Sequence, residues 1–252
     1  SGFLHIQDCV MESMMDDAGN IHGIYTCIDD CGERELTLRL GHFQHQGVLP
    51  YRPGERLRLL ERDTLREWGV VTIRQVALAA PYVLRVETEE PIPPACKGGV
   101  AEDPDNLPEV LIEGCRTGKN RPRGFLVNTS KKAVVRCNTF YNSCCGVFVA
   151  GDPCYWYEAG PITNLTIEDN TFMGCNTLDG GSAVAVGPER LPLFEGIYHG
   201  NVRICNNRFV DSNGRVADVR SVTALTMEDN TCDALAPVVH TEQCGQVNGQ
   251  IW

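Results

Sequence analysis

Positive charge is scarce in this chain. Its 252 residues hold 22 Lys and Arg against 33 Asp and Glu, a net charge of −11, and no basic cluster sits at either end. That removes the electrostatic footprint of a nucleic-acid binder. Long apolar runs are also missing: none approaches the roughly 18 residues of a membrane span, so no membrane partner is expected. The opening Ser1-Gly2-Phe3-Leu4-His5-Ile6 has neither the basic start nor the apolar stretch of a secretory leader, although one lying upstream is compatible with it. A complete metal-binding motif is lacking too, although Cys27 and Cys31 have metal-like spacing. They have no matching second pair, and neither a metal nor a cofactor is expected.

Cysteine itself is abundant. Thirteen cannot pair completely within one chain, and Cys144 and Cys145 are adjacent. The plainest reading is that most are small buried apolar residues of a reducing compartment. The length suffices for one large all-β domain, or for a domain carrying a smaller one.

An internal repeat decides the architecture. Four segments align without gaps: Ala133 to Phe140, Leu165 to Phe172, Val202 to Phe209 and Leu225 to Cys232. Each is a short alternating strand that runs into a marker asparagine, at 138, 170, 207 and 230. Two weaker copies, Leu4 to Val10 and Val110 to Arg116, place Cys9 and Cys115 at the marker. Markers lie about 23 residues apart from 115 to 138 and from 207 to 230, which suits one β-helix coil. From 138 to 170 and from 170 to 207 the spacing is about 32 and 37, so those coils carry loops. Coils stack one strand spacing apart, about 4.8 Å, and the marker amides can then bond to one another. The asparagines are read as scaffold.

After each marker follows a second apolar strand: Gly146 to Val149, Ser182 to Val186, Val216 to Val219 and Pro237 to His240. In the first coil Asp16-Asp17 holds the equivalent place and breaks the pattern. About 80 residues more than one coil needs lie between Cys9 and Cys115. They include alternating strands such as Glu35 to Leu40, Arg56 to Leu60, Val70 to Arg74 and Tyr82 to Val86. One apolar and one polar face per strand predicts a small antiparallel barrel. The expected organisation is all-β: a right-handed parallel β-helix over 1–23 and 106–252, an inserted barrel over 24–95, and a return linker over 96–105.

Three constellations interrupt the scaffold. In Asp16-Asp17-Ala18-Gly19-Asn20-Ile21-His22-Gly23, adjacent carboxylates precede an asparagine and a histidine. A lone Asp-Asp often only caps a turn, but this pair replaces a core strand beside a domain insertion. Asn120-Arg121-Pro122-Arg123-Gly124 offers two guanidinium forks, solvated in the plain reading, able otherwise to bind hydroxyls or orient a carboxylate. Gly151-Asp152 through Trp156, Glu158 and Gly160 forms a loop with an aromatic between two acids. It either packs on itself or suits a sugar, whose apolar face stacks on a ring while acids accept from its hydroxyls. Glycoside hydrolysis needs two carboxyl groups, and their separation distinguishes inversion from retention.

On these residues the chain resembles glycoside hydrolase family 110, bacterial exo-α-1,3-galactosidases that include enzymes cleaving blood-group-B structures. The likeness is carried by Asp16 to Gly23, His45-Gln46-Gly47 followed by Pro53-Gly54-Glu55-Arg56, Asn120 to Val127, and Gly151-Asp152 with Trp156 to Gly160. The resemblance implies a β-helix with an inserted barrel and metal-independent, inverting removal of terminal α-galactose from a glycan. Asp16 and Asp17 would form the catalytic pair, Asp16 as acid and Asp17 helping to activate water. Asn20, His22, Arg121, Arg123, Asp152, Trp156 and Glu158 would bind substrate. Family members have earlier coils, so a further acidic residue is expected upstream of Ser1. A homodimer is a further candidate partner. A bacterial cytoplasm fits reduced thiols, and a secreted or periplasmic place would need the upstream leader. Two other readings stay open: a non-catalytic carbohydrate-binding β-helix, and a pectin-type hydrolase or lyase, against which the few basic residues argue.

Overall fold

A computed structural model describes residues 2–141, 144–175, 181–189 and 196–250. Nearly all regular structure among them is β, with two short 3-10 turns, Phe43–His45 and Pro94–Cys96. Parallel coils stack as the repeat predicts. Strands Phe3–Gln7, Glu109–Glu113, Lys132–Arg136, Asn164–Glu168 and His199–Cys205 form one sheet in strict register. Leu4, Val110, Ala133, Leu165, Val202, Leu225 and Val247 follow one another along one inward column. The alternation read from sequence is the alternation of burial: Val110, Ile112, Leu165 and Ile167 are buried, and their neighbours face out.

A second sheet stacks Val10–Glu12, Arg116–Gly118, Thr139–Tyr141, Thr171–Met173, Arg208–Val210 and Thr231–Cys232. Its inward residues include Phe140, Phe172 and Phe209, whose rings lie nearly parallel with centroids 4.9 and 5.0 Å apart. A third side holds Gly19–Ile21, Arg123–Val127, Cys145–Val149 and Val184–Val186. It joins the first sheet because Arg215–Glu228 and Val238–Gly249 run through the corner between them.

The marker turn repeats in detail. The preceding residue is left-handed in every coil: Asp8, Gly114, Cys137, Asp169, Asn206 and Asp229 have φ of 52°, 64°, 55°, 56°, 54° and 54°. Asp, Asn and Gly tolerate that conformation best. Each marker's backbone N–H then donates to the next marker's side-chain oxygen, from Cys115 to Asn138 and on to Asn170, Asn207 and Asn230, at 2.8–3.0 Å. Each asparagine also donates back to a carbonyl of the coil before, on Ile112, Val135, Ile167 and Ile204. The Cys115 thiol makes the same backward contact to the Ile6 carbonyl. Gln250 continues the row, accepting from the Asn230 N–H and donating to its carbonyl. Two donors per turn that the coil alone would leave unpaired are thus satisfied in a dry interior.

The inserted barrel is closed and antiparallel, built from Thr26–Cys31, Glu35–Leu40, Val83–Thr88, Glu67–Ala80, Arg56–Leu60 and Val100–Glu102. Leu36, Leu38, Leu57, Leu59, Ile73 and Leu84 fill it. Its closing strand, Val100–Glu102, falls inside 96–105, where the sequence suggests only a linker. Three residues between Gly98-Gly99 and Asp103-Pro104 are too few to show alternation against such strong turn signals. The strand is recruited by pairing with both Thr26–Cys31 and Arg56–Leu60.

Candidate active site

The Asp16-Asp17 pair does not occupy the strand position expected for it. Register aligns Gly19, Asn20 and Ile21 with Phe125, Leu126 and Val127, so the first coil keeps its strand at Gly19–Ile21. The two aspartates sit in the bend leading into it. Gly19 explains the weak signal: a side chain there would meet the Phe125 ring, so the coil uses glycine where the later coils carry Phe125, Val147, Val184 and Ala217. The bend leaves Asp16 exposed and Asp17 buried.

Extrapolating the same register puts Asp17 beside Arg123, one coil on. Arg123 Nε donates to Asp17 Oδ1 at 2.9 Å, and the guanidinium lies over the Phe148 ring, 4.7 Å from its centroid. The Asp17 side chain is 4% exposed. Burial raises its carboxyl above the usual range, Arg123 opposes that, and Asp16 and Glu158 add to it. The Asp17 backbone N–H donates to Asp16 Oδ1, which fixes the bend. Arg121 is exposed, and its backbone N–H donates to the Met14 carbonyl.

Two coils from Asp17, the loop after Cys145–Val149 folds back over the first coil. Its strand Glu158–Ala159 pairs antiparallel with Gly23–Ile24. Glu158 Oε1 thereby accepts from Asn20 Nδ2 at 2.8 Å and lies 3.8 Å from His22 Nε2. Of the expected sugar-binding residues, Asn20, His22 and Glu158 form one cluster, electrostatically coupled to Asp17. Trp156 is half exposed and packs on the ring of His42, a barrel residue, at 5.2 Å. Asp152 has a different place: it is buried, and its carboxylate accepts the backbone N–H groups of Cys154, Tyr155 and Trp156. It shapes the loop that presents Trp156 and Glu158, and those donors occupy both oxygens.

Two further neighbours of these residues were not assigned to the site from the sequence, although His45 lies in a stretch that carries the family likeness. The barrel turn at Phe43–His45 brings His42 and His45 to this edge; burial, then His42 and His22, lower the His45 pKa. Glu189 follows Val184–Val186 just as Asp152 follows Cys145–Val149, so register makes the two equivalent. Burial, Asp152 and Glu158 raise Glu189 while Arg123 and Arg220 lower it; its residue surface is open, so desolvation there is partial. The signal for it was available: a carboxylate three residues past the same strand position, one coil on.

All thirteen cysteines are free thiols, six of them buried. Among the described residues no group of three or more His, Cys, Asp or Glu side chains is arranged to hold a metal, and no helix is long and apolar enough to cross a membrane.

No protein-family model matches the chain. A protein named alpha-1,3-galactosidase A from Shewanella woodyi is 29% identical over 91% of this chain and 38% of its own length. Its namesake from Bacteroides fragilis is 28% identical over 98% of this chain and 41% of its own. Alpha-1,3-galactosidase B from Akkermansia muciniphila is 30% identical over 82% of this chain and 27% of its own. The chain spans about two fifths or less of the length of these curated relatives. With that agreement running nearly end to end through the coils and the barrel, the chain belongs with these bacterial proteins in the glycoside hydrolase family 110 type.

Proposed function

We propose that the protein containing this chain is an exo-acting glycosidase that removes terminal α-1,3-linked galactose from glycans by acid/base hydrolysis with inversion. One observation carries the reading: a buried carboxylate, Asp17, is held by Arg123 next to the exposed carboxylate Asp16, on an edge where Asn20, His22, Glu158 and Trp156 converge. Asp16 reaches solvent and serves as the acid that protonates the leaving oxygen. Asp17 helps to activate water. Burial raises its pKa, which makes it a better base than a free aspartate, and Arg123 opposes that rise. Trp156 supplies the apolar face for the galactose ring, and Asn20, His22 and Glu158 the polar contacts to its hydroxyls. Arg121, at the same turn as Arg123, is assigned to the substrate side as well. Asp152 acts by holding the loop. The relatives' names support the α-1,3-galactose specificity.

The test is hydrolysis of a panel of α-galactosides by the full-length protein, with the first-formed anomer followed by NMR. Release of β-galactose from an α-1,3-galactoside is expected. Release of the α-anomer would refute inversion, and sugar binding without turnover would favour a non-catalytic module.

A further inference from the structure

We propose that Cys144 and Cys145 form a modification site at the edge of the Asp17–Arg123 pair, with Cys144 the reactive thiol of the chain, and that a soft alkylating group attached there obstructs that pair. The adjacency of the two thiols looks incidental in the sequence; the coil register gives it a place. Arg123 and Cys145 are direct partners across neighbouring strands. Asp17 holds the matching position one coil earlier and binds Arg123 at 2.9 Å. Successive coils therefore line up a carboxylate, a guanidinium and a thiol, and Cys144 stands one residue from the end of that row, in the column that contains Asp16. Cys145 is buried, while Cys144 is partly exposed.

The chemistry of the neighbours sorts the two sulfurs. The Cys145 thiol donates to Cys144, and Arg123 adds a cation within electrostatic reach, against burial and the Asp17 charge. Together they bring Cys144 down to about 6, whereas the same contact raises Cys145. Burial pushes Cys27, Cys96, Cys115, Cys205 and Cys244 upward. The thiolate is the nucleophile, and its greater population at Cys144 outweighs the lower intrinsic nucleophilicity of a more acidic thiol. With iodoacetamide the Cys144 sulfur attacks the methylene carbon. The C–S bond forms, the C–I bond breaks, iodide leaves, and the thiol proton passes to solvent.

Obstruction rests on the reading of Asp17 and Arg123 as part of the reactive centre; reactivity does not. Full-length protein is treated with limiting iodoacetamide at pH 6.5, and the rate at each cysteine is read by peptide mass spectrometry. Cys144 is expected to react about tenfold faster than the exposed Cys137. Cys145→Ala and Arg123→Gln, which remove a donor and a cation, should each slow it severalfold. Cys144→Ser should retain basal hydrolysis and make it resistant to the reagent, and galactose should protect the wild type. Equal labelling of Cys144 and Cys137 overturns the proposal, as does full labelling of Cys144 with hydrolysis intact. Selective labelling of a protein that hydrolyses no galactoside would overturn the functional reading and leave the reactive thiol standing.

Discussion

At the scale of single residues, Asp17 and Glu102 show how burial sets a carboxyl to different ends. Asp17 has Arg123 as a partner and an open edge beside it. Asp17→Asn keeps the shape and a hydrogen-bond acceptor but removes the base. It should lower kcat by 10²–10⁴-fold while circular dichroism stays native; unchanged turnover would remove Asp17 from the mechanism. Glu102, 1% exposed in the barrel wall, has only Arg58 at 3.1 Å and one oxygen without a partner. Burial raises it from 4.5 to about 7, with Arg58 opposing. The folded protein thus keeps this proton after the unfolded chain has released it. The associated stability is complete below about pH 4.5 and is lost as pH rises through about 7. The loss is about 3 kcal/mol in all, taken at ~1.4 kcal/mol per pKa unit. Glu102→Gln should flatten that dependence, measured as Tm against pH across the interval.

At the scale of elements, the marker turn is a chain of bonds in which every asparagine serves two coils. Asn170 Oδ1 accepts from both the backbone N–H and the side-chain amide of Asn138. Asn170→Ala strands both donors in the interior and should cost about 2–4 kcal/mol in denaturant unfolding. Gln250→Ala removes one acceptor and one donor from the same row and should cost about 1–3 kcal/mol. Much of this was legible beforehand. A strand of period two followed by an invariant position leaves a strong trace when it recurs, and Cys115 was recognised in the slot. Gln250 was not, because a glutamine 20 residues after Asn230 matches neither the residue type nor the spacing of the repeat. The strand Gly19–Ile21 was obscured because its inward position needed to be small. At Asp16 to His22 the sequence pointed to the wrong element: the strand is Gly19–Ile21, and the aspartates sit in the bend before it.

At the scale of the whole molecule, the candidate site lies where the barrel leans on the β-helix. Tyr25 of the barrel bonds Tyr198 of the helix, Arg62 donates to the Tyr157 hydroxyl at 3.1 Å, and Gly41 lies flat against the Tyr157 ring. A Cβ at Gly41 would fall 2.4 Å from that ring. Gly41→Ala should therefore displace the loop that carries Trp156 and Glu158, raising KM for galactosides severalfold with a smaller change in Tm. A fall in Tm with KM unchanged would place the glycine in barrel stability alone. Contacts of this kind were invisible in the sequence: Trp156 and His42 are more than a hundred residues apart, and no periodicity connects them. Composition could suggest an exposed ring, whereas only the folded chain shows that Trp156 packs on a barrel residue.

Thr26 pairs with Ala101 and Cys27 with Val100, so the chain leaves the barrel beside the point where it enters. To the coil, some 75 residues of barrel are a loop whose two ends already touch, and the entropy of closing it, which grows only as (3/2)RT ln n, is met by the barrel's own folding. Such a module can change in length without shifting a rung of the stack, because the Thr26–Ala101 and Cys27–Val100 pairs hold its two ends together. The half of the site that faces solvent can then evolve on its own clock, while the Asp17–Arg123 row, written into the coil register, stays where it is.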